Sequence, residues 1–569
     1  MESVRDLKKQ LGIRRLVLQI HDMSFPSRSD EDTGRGSPYT RGAHDFLEFA
    51  QRLGFDGVQL GPQGQTSRGN PCPYDGQLYT QDFLSVALQP LVQEPYWEGL
   101  LTDRTISRIA DGRPDTDGWN HHEYAWDQTV SALDEIWQAY QARGRRDTTL
   151  DRDLRTFRHS NADWLDLTAT AGDASPERHA FVQFVLHHQH RQLRSALPGL
   201  RFFGDLQIGM SPAGTSQFTR SQCTNLFHPD YFLGAPPSRT NPDGQPWGYA
   251  VFHPDQVATG NAGEFLRNRV RRLLDGCDGI RIDHPHGLVC PWVYRRDVAD
   301  SGAAVRTGAR LHGSPALEDH PDLSAFSIVR PEQIDRTAAR YAENRVRSLD
   351  EDQVTSFSAL FDVIPEAVRE SGGDPESDIA CEVLSTLPFP LGCVMQRHGL
   401  GRFRVIQKAR LDDPADVYRI ENAEPADWIM MGNHDTPPIW LLAQDWCDGG
   451  KSLEWAEYLA DRLSITTAGR REFVKQTAAS PGALVHAMFA ALLASRAGHV
   501  AVFFSDLLGL NRLYNRPGVV SDQNWRLRVP SDYARHYRLR RTAQMVLDVP
   551  ACLRLAVAAR ERMGRRPIV

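Results

Sequence analysis

The stretch "DGIRIDHPHG", residues 278 to 287, alternates apolar residues with an arginine and an aspartate. Ile280 and Ile282 favour a buried strand, and Arg281 and Asp283 stand at the alternate positions. Because successive side chains of a strand point to opposite faces, Arg281 and Asp283 share a face that the two isoleucines do not. The histidine and proline that follow end the run. The pattern predicts a buried strand that presents a cation and a carboxylate at its end.

Seven more short apolar or β-branched runs alternate with stretches of helical periodicity. Helical stretches precede the second, third, fourth and eighth runs, namely "RGAHDFLEFAQRLG", "ERHAFVQFVLHHQHRQLRSAL", "AGEFLRNRVRRLLDG" and "GALVHAMFAALLASRAG". Alternating strands and helices are typical of a parallel sheet of the α/β class, and eight βα units predict a (β/α)8 TIM barrel. Two further helical stretches, "SDYARHYRLRRTAQMVL" and "ACLRLAVAARERMG", would complete its outer ring. The eight runs cover residues 14–20, 55–61, 200–209, 277–283, 377–384, 402–407, 427–435 and 499–506.

The spacing between the runs is uneven and predicts large insertions in the loops after the second, third and fourth strands. We expect one catalytic domain over residues 1–569, with inserted subdomains over approximately 63–199, 210–261 and 284–353. Long βα loops of barrels build the rim of the active-site cleft at the carboxyl ends of the strands. The insertions therefore indicate an elaborated cleft.

Composition and charge exclude several classes of function. The chain has 569 residues, 41% of them hydrophobic, and a formal net charge of -7 without a clustered basic face, so we expect no nucleic-acid partner. No apolar run approaches the roughly 18 residues that a membrane-spanning helix needs. The eight cysteines are dispersed without a CxxC pair, and the first residues, "MESVRDLKKQ", do not resemble a secretory signal. We expect a cytoplasmic protein with reduced thiols.

Three acidic residues fall at or near predicted strand ends: Asp283 in the fourth run, Glu382 in the fifth and Asp435 in the seventh. Carboxyl groups on three strands of one barrel can converge above its mouth. Retaining cleavage of a glycosidic bond needs a carboxylate nucleophile and a carboxylic acid roughly 5 Å apart. Arg281 would hold Asp283 ionised and oriented. An isolated aspartate at a strand end is otherwise most often a helix N-cap or a loop hydrogen-bonding group.

Five motifs in order resemble the 4-α-glucanotransferases, or amylomaltases, of glycoside hydrolase family 77, transglycosylases of the α-amylase clan with a (β/α)8 barrel. "GIRIDH" resembles the nucleophile strand of that family, and "GNHDT" resembles its Thr-His-Asp-Asn segment. The resemblance runs through nearly the whole barrel. The other three motifs are "GNPCPYDGQ", "APPSRTNPDGQPWGYAVFHPD" and "DLLGLNRLYNRPGVVSDQNWRLRVP".

The resemblance implies three catalytic roles, which transfer position by position. Asp283 would be the nucleophile that forms a covalent glucosyl-enzyme, and Glu382 would be the acid/base. Asp435 would stabilise the transition state by binding sugar hydroxyls beside the scissile bond. Arg281 and His434 would assist in the same subsite.

The resemblance also implies further contacts with substrate. Tyr74 would stack on the glucose ring, Gln245 and Trp247 would line the cleft, and Asn515 would contact substrate from the last βα loop. Aromatic rings suit this role because the faces of sugars present C–H groups that pack on them. For Trp525 we expect ordinary core packing instead.

The chain departs from the family pattern at several positions. The family typically reads Ala-Glu-Asp-Leu-Gly around the acid/base, whereas this chain has Val383 after the glutamate. Ser238 replaces a usual aspartate, Asn433 replaces the threonine before His-Asp, and "GDLQIGM" lacks the usual proline. These changes concern acceptor preference and chain-length specificity more than the basic reaction.

Several alternatives remain open. An α-1,4-glucan hydrolase would use the same covalent intermediate with water as acceptor, and a non-catalytic glucan-binding barrel would retain the fold alone. His187 and His190 of "HHQH" share a helix face, but no third ligand is identifiable, so we expect no metal site. Phosphate-binding glycine loops are absent from the sequence, so we expect no nucleotide cofactor. The expected partners are α-1,4-glucans and maltooligosaccharides.

Overall fold

The structure is a computed structural model. It describes residues 3–114, 118–144, 146–169, 175–211, 225–239, 241–519 and 521–564. Within these residues, no helix combines the length and the apolar character that crossing a bilayer requires.

Eight strands form a parallel sheet that curls into a nearly closed (β/α)8 barrel, as the sequence predicts. Each predicted run contains one barrel strand. The barrel strands are β1 (Arg15–Ile20), β2 (Gly57–Leu60), β3 (Arg201–Gln207), β6 (Gly279–Asp283), β9 (Ile379–Cys381), β10 (Phe403–Val405), β11 (Trp428–Met430) and β12 (His499–Phe503). Their order in the sheet is β10-β11-β12-β1-β2-β3-β6-β9.

The chain divides into two compact units. The first unit comprises Met1–Cys72, Thr80–Phe202 and Arg404–Val569. In it β1 pairs in parallel with both β12 and β2, and all five residues of β12 are buried. Its helices are Val4–Gln10, Arg41–Leu53, Gln89–Gln93, Asp103–Gly112, His122–Ala142, Thr149–Ser160, Ala162–Thr168, Pro176–Ala196, Ile439–Asp448, Ser452–Arg462, Thr467–Ala478, Pro481–Leu493, Phe504–Leu508, Tyr533–Arg541 and Val549–Gly564.

The second unit comprises Pro73–Tyr79 and Phe203–Phe403. In it β6 lies between β3 and β9, and a parallel bridge joins Cys381 to Arg402, the residue before β10. Ile280 and Ile282 are fully buried in a core of aliphatic side chains. The helices of this unit are Pro254–Ala258, Asn261–Leu274, His286–Val289, Ser301–Arg306, Glu351–Ser358, Val363–Glu370, Pro375–Asp378 and Phe389–Arg397.

The second unit also contains a four-stranded antiparallel sheet that the sequence patterns do not predict. Its strands are β4 (Phe227–Ala235), β5 (Gln245–Phe252), β7 (Trp292–Arg295) and β8 (Ala309–Arg310), in the order β5-β4-β7-β8. They are irregular: the pairing of β4 with β5 shifts register twice, and β8 has two residues. Prolines and glycines inside β4 and β5 interrupt the alternation of apolar and polar residues by which strands are recognised.

All eight barrel strands are shorter than their predicted runs, and β9, β10 and β11 have only three residues each. Glu382 follows β9 directly, and Asp435 lies in a turn five residues after β11. That turn begins at Asn433, whose side-chain carbonyl accepts a hydrogen bond from the Asp435 amide at 3.1 Å. An asparagine that bonds to the backbone two residues on favours a turn over a strand.

The close packing of β6 against its neighbours yields a test of the barrel. A β-carbon at Gly279 would lie 2.5 Å from the Phe203 ring and 2.7 Å from the Asp378 carbonyl oxygen. Gly279→Ala therefore forces the backbone apart, and we expect a destabilisation of about 1–3 kcal/mol in urea unfolding. Gly263→Ala is the control, because its nearest new neighbour is the Val363 side chain at 3.9 Å and alanine favours helix. Equal stability of the two variants would contradict the packing of this strand.

Candidate active site

The second unit brings Arg281 and Asp283 to the same side of β6, as the alternation predicts. Strand register pairs Arg281 with Asp205 and Asp283 with Gln207 of β3. Paired residues of a parallel sheet project to the same face, so the register itself places a carboxylate beside the guanidinium. The opposite face of β6 is occupied by buried isoleucines.

Arg281 is buried and contacts three carboxyl groups. Its Nη1 donates to both oxygens of Asp205 at 2.6 Å, and its Nη2 lies 2.5 Å from Glu382 Oε2 and 3.1 Å from Asp283 Oδ1. The side chain of Asp205 is fully buried, that of Glu382 is 3% exposed, and that of Asp283 is 18% exposed. Asp283 therefore remains the carboxylate most open to an incoming molecule.

Asp283 and Glu382 are close enough to work as a pair. One oxygen of each carboxyl group and a ring nitrogen of His284 all lie within 4.8 Å of one another. Burial raises the pKa of Asp283 well above its ordinary value; Arg281 opposes this shift, while Glu382 and Asp205 add to it. Two interacting carboxyl groups titrate as a pair, so their protonation steps belong to Asp283 and Glu382 together. The expectation that Arg281 holds Asp283 ionised and oriented stays a prediction.

Tyr74 belongs to the same cluster. Its hydroxyl donates to Asp205 Oδ2 at 3.2 Å and accepts from Arg281 Nη1 at 3.2 Å. Burial raises the pKa of the phenol well above its ordinary value, so it stays a neutral donor. The Arg281 guanidinium lies 5.8 Å from the centroid of its ring. Tyr74 is therefore fixed by polar contacts, and its predicted stacking on sugar stays a prediction.

Two predicted cleft residues pack beside the carboxyl pair. The Trp247 ring stacks on His284 with centroids 4.9 Å apart and planes 6° apart, and its indole N–H donates to Gln245 Oε1 at 2.8 Å. His284 Nδ1 lies 3.6 Å from Glu382 Oε2. His284 has a positive φ of 49°, a backbone conformation that costs a non-glycine residue about 1–3 kcal/mol. The chain thus turns sharply one residue after Asp283.

The first unit contains the remaining predicted residues, and it brings them together. Asn515 Nδ2 donates to Asp435 Oδ1 at 2.7 Å, and His434 Nε2 lies 3.5 Å from the same oxygen. Asp435 keeps a partly exposed side chain, while His434 is 9% exposed. This cluster presents one carboxylate that is oriented by two neighbouring nitrogen atoms.

The His434 ring packs against a cluster of aromatic side chains. The His21 ring lies 5.2 Å from the His434 ring and 5.6 Å from the Trp525 ring, and its Nδ1 is 3.0 Å from the Tyr514 hydroxyl. Trp525 is 7% exposed and packs edge-on against Tyr514. The expectation that Trp525 is a packing residue agrees with this position.

Asp205 also belongs to the cluster around Arg281, and the sequence patterns did not single it out. It stands in "RFFGDLQ", where an ionisable residue interrupts an otherwise apolar strand. Since a fully buried carboxylate requires a charged or hydrogen-bonding partner, that interruption was the available signal. Val383, which stands after Glu382 where the family usually has an acid, is fully buried in the aliphatic core. It adds no charge to the carboxyl pair.

Asp283, His284 and Glu382 also have the atom types of a metal site. A divalent cation there would compete with the guanidinium that already contacts both carboxyl groups. The fixed positive charge of Arg281 makes this cluster a poor cation site.

Comparison with known proteins identifies the family. A sequence profile described as 4-alpha-glucanotransferase matches residues 168–533, and the chain belongs to this family, glycoside hydrolase family 77. The fold is similar to that of the amylomaltase from Streptococcus agalactiae in complex with acarbose, with a TM-score of 0.69 and 16% identity over 94% of this chain and 98% of that one. It is also similar to the amylomaltase from Corynebacterium glutamicum, with a TM-score of 0.65 and 16% identity over 98% of this chain and 76% of that one. A search of curated protein sequences finds no match.

Family membership confirms the predicted resemblance and the predicted 4-α-glucanotransferase activity. The family acts on α-1,4-glucans and maltooligosaccharides. The roles of individual residues are a separate question.

The charge of Asp205 offers a test of the arginine-centred cluster. Asp205 raises the pKa of Asp283, so Asp205→Asn should lower that pKa and move the pH profile of kcat/KM for glucan transfer to lower pH. Asp297→Asn removes the same charge from an exposed residue paired with Arg295, and it should leave the profile in place. Thermal unfolding checks that both variants fold. An unmoved profile in folded Asp205→Asn would contradict the coupling.

Proposed function

We propose that Asp283 is the nucleophile and Glu382 the acid/base of a double-displacement transfer of α-1,4-glucan segments. The observation that carries this assignment is that one oxygen of each carboxyl group lies less than 4.8 Å from one of the other, with both groups in contact with Arg281. A spacing of about 5 Å is the one that retaining enzymes use, because the nucleophile must reach the anomeric carbon directly. The wider spacing of inverting enzymes leaves room for a water molecule.

In the first step Asp283 attacks the anomeric carbon, and Glu382 gives its proton to the departing glycosidic oxygen. This division requires opposite protonation states, since Asp283 must be ionised while Glu382 is a carboxylic acid. The greater exposure of Asp283 supports its assignment as the nucleophile. Arg281 spreads its positive charge over both groups and stabilises the negative charge that moves from one to the other.

In the second step Glu382 removes a proton from the 4-hydroxyl of an acceptor glucan or glucose, whose oxygen then attacks the glucosyl carbon and releases Asp283. Water competes for the same position. An acceptor sugar that is held in place has a large effective concentration, which favours transfer over hydrolysis. Trp247, stacked on His284, offers a flat apolar surface for that acceptor.

We propose that Asp435 stabilises the transition state by binding sugar hydroxyls, with His434 beside it and Asn515 orienting it. The hydrogen bond from Asn515 and the nearby His434 ring support this role, since they fix one carboxylate oxygen and leave the other for substrate. Asp283 ends a strand of the (β/α)8 barrel, and Glu382 and Asp435 each come after one, which is where catalytic residues of such barrels lie.

Three further proposals rest on the predictions made from the sequence. The chain acts as one catalytic domain over residues 1–569, and residues 63–199, 210–261 and 284–353 form inserts that shape the cleft. Tyr74, Gln245 and Trp247 contribute to substrate binding. The enzyme works in the cytoplasm on α-1,4-glucans and maltooligosaccharides, without a nucleic-acid or membrane partner.

Maltotriose separates transfer from hydrolysis and from simple binding. We expect the wild-type enzyme to convert maltotriose to glucose and a ladder of longer maltooligosaccharides, resolved by chain length. Asp283→Asn should yield no ladder, because an amide cannot form the covalent intermediate. Asp297→Asn should behave as wild type. Glucose and maltose without longer products would indicate a hydrolase, and an inert wild-type protein would indicate a glucan-binding barrel.

An activated donor separates the roles of the two carboxyl groups. α-Maltosyl fluoride loses fluoride without a general acid, so Glu382→Gln should form the covalent intermediate from it at a rate close to wild type. The same variant should lose about 10²–10⁴-fold in activity on maltotriose. Asp283→Asn should be inactive with both donors. If Glu382→Gln were as slow on the fluoride as on maltotriose, the acid/base assignment would be wrong.

A further inference from the structure

The second unit contains a solvent-open pocket of about 130 Å3 that shares no residue with the catalytic cluster. Two segments line it, residues 313–317 and parts of 331–345. The lining contains three arginines, no acidic residue and no aromatic ring.

Arg345 is the most enclosed of the three cations. Its Nη1 donates to the carbonyl oxygens of Asp335 and Ala338, at 2.5 and 2.7 Å. Burial lowers the pKa of Arg345, and the charges of Arg340 and Arg336 lower it further. The guanidinium is thus held rigidly by the backbone in a region of positive potential.

The acidic neighbours leave this positive charge largely uncompensated. The Asp335 carboxylate binds the Thr337 backbone and hydroxyl, at 2.9 and 2.6 Å, and pairs with Arg347 at 2.5 Å. Arg340 pairs with Asp319 at 2.7 Å. Arg336 has no carboxylate within salt-bridge distance in the described part of the chain. Within the described residues, Arg340 is thus the only one of the three lining arginines that pairs with a carboxylate.

The residues that line the pocket fit an anion better than they fit a glucan. A glucan needs aromatic faces and carboxylates that accept from its hydroxyls, and this lining offers neither. Guanidinium groups instead match the oxygens of a phosphate in two-point hydrogen bonds. The Ser314 hydroxyl, 5% exposed, adds a further donor, and within the described ranges it has no hydrogen-bond partner.

We propose that this pocket binds a phosphate dianion, either free or as the phosphomonoester of a small sugar, between Arg336, Arg340 and Arg345. The site is separate from the glucan cleft, and its occupant is not consumed by the transfer reaction. Electrostatic attraction makes the binding sensitive to salt.

Titration calorimetry on the full chain tests the proposal with inorganic phosphate, glucose 1-phosphate and uncharged glucose. We expect at least one of the two phosphate probes to give a saturable binding isotherm, and we expect glucose to give none. Tighter binding of glucose 1-phosphate would identify the occupant as a sugar phosphate, and tighter binding of inorganic phosphate would identify the free anion.

Arg336→Gln is the decisive variant, because Arg336 is exposed and its loss leaves the folded backbone intact. It should weaken phosphate binding by about tenfold or more, the loss expected for one charged hydrogen bond. Arg345→Gln should do the same if it folds. Arg330→Gln is the control, since Arg330 is an exposed cation outside the lining that pairs with Glu332 and Asp350. Absence of saturable phosphate binding to the wild type, or unchanged affinity in Arg336→Gln, would overturn the proposal.

Discussion

A single buried guanidinium organises the carboxyl cluster of the second unit. Arg281 contacts Asp205, Asp283 and Glu382, and none of these side chains is more than 18% exposed. One positive charge cannot compensate three negative ones at such short range, so the cluster favours a protonated carboxyl group. Asp205, fully buried and bonded to both the guanidinium and Tyr74, has the most partners for its ionised form. The proposed double displacement needs the other two groups, Asp283 and Glu382, in opposite protonation states.

Local sequence explains how each cluster is built. In the second unit, strand register sets Asp205 beside Arg281, and Glu382 follows β9 with its amide bonded to the Ile282 carbonyl at 3.0 Å. In the first unit, the Asn433 side chain closes the turn that carries Asp435. The family usually has threonine at that position, and here asparagine forms the turn through its own carbonyl. A departure from the family pattern is thus compatible with the same local geometry.

Much of this organisation follows from sequence patterns, and the remainder depends on contacts between distant residues. The eight strands were predictable because buried parallel strands read as short apolar runs between helices. Arg281 and Asp283 were predictable as neighbours because strand alternation is local. Asp205 was not predictable, because its contact with Arg281 depends on the register between two strands. The two residues are 76 positions apart in the sequence. The antiparallel sheet was not predicted because bulges, prolines and glycines interrupt the alternation of apolar and polar residues in its strands.

Trapping the covalent intermediate tests the central assignment most directly. A fluorinated α-glucosyl donor that forms the intermediate faster than it breaks down should label the enzyme, and mass spectrometry of the digested protein then locates the sugar. The arginine-centred cluster predicts a single glycosylated peptide that contains "DGIRIDHPHG", with the sugar on Asp283. A label on Glu382 or on Asp435 instead would contradict the account.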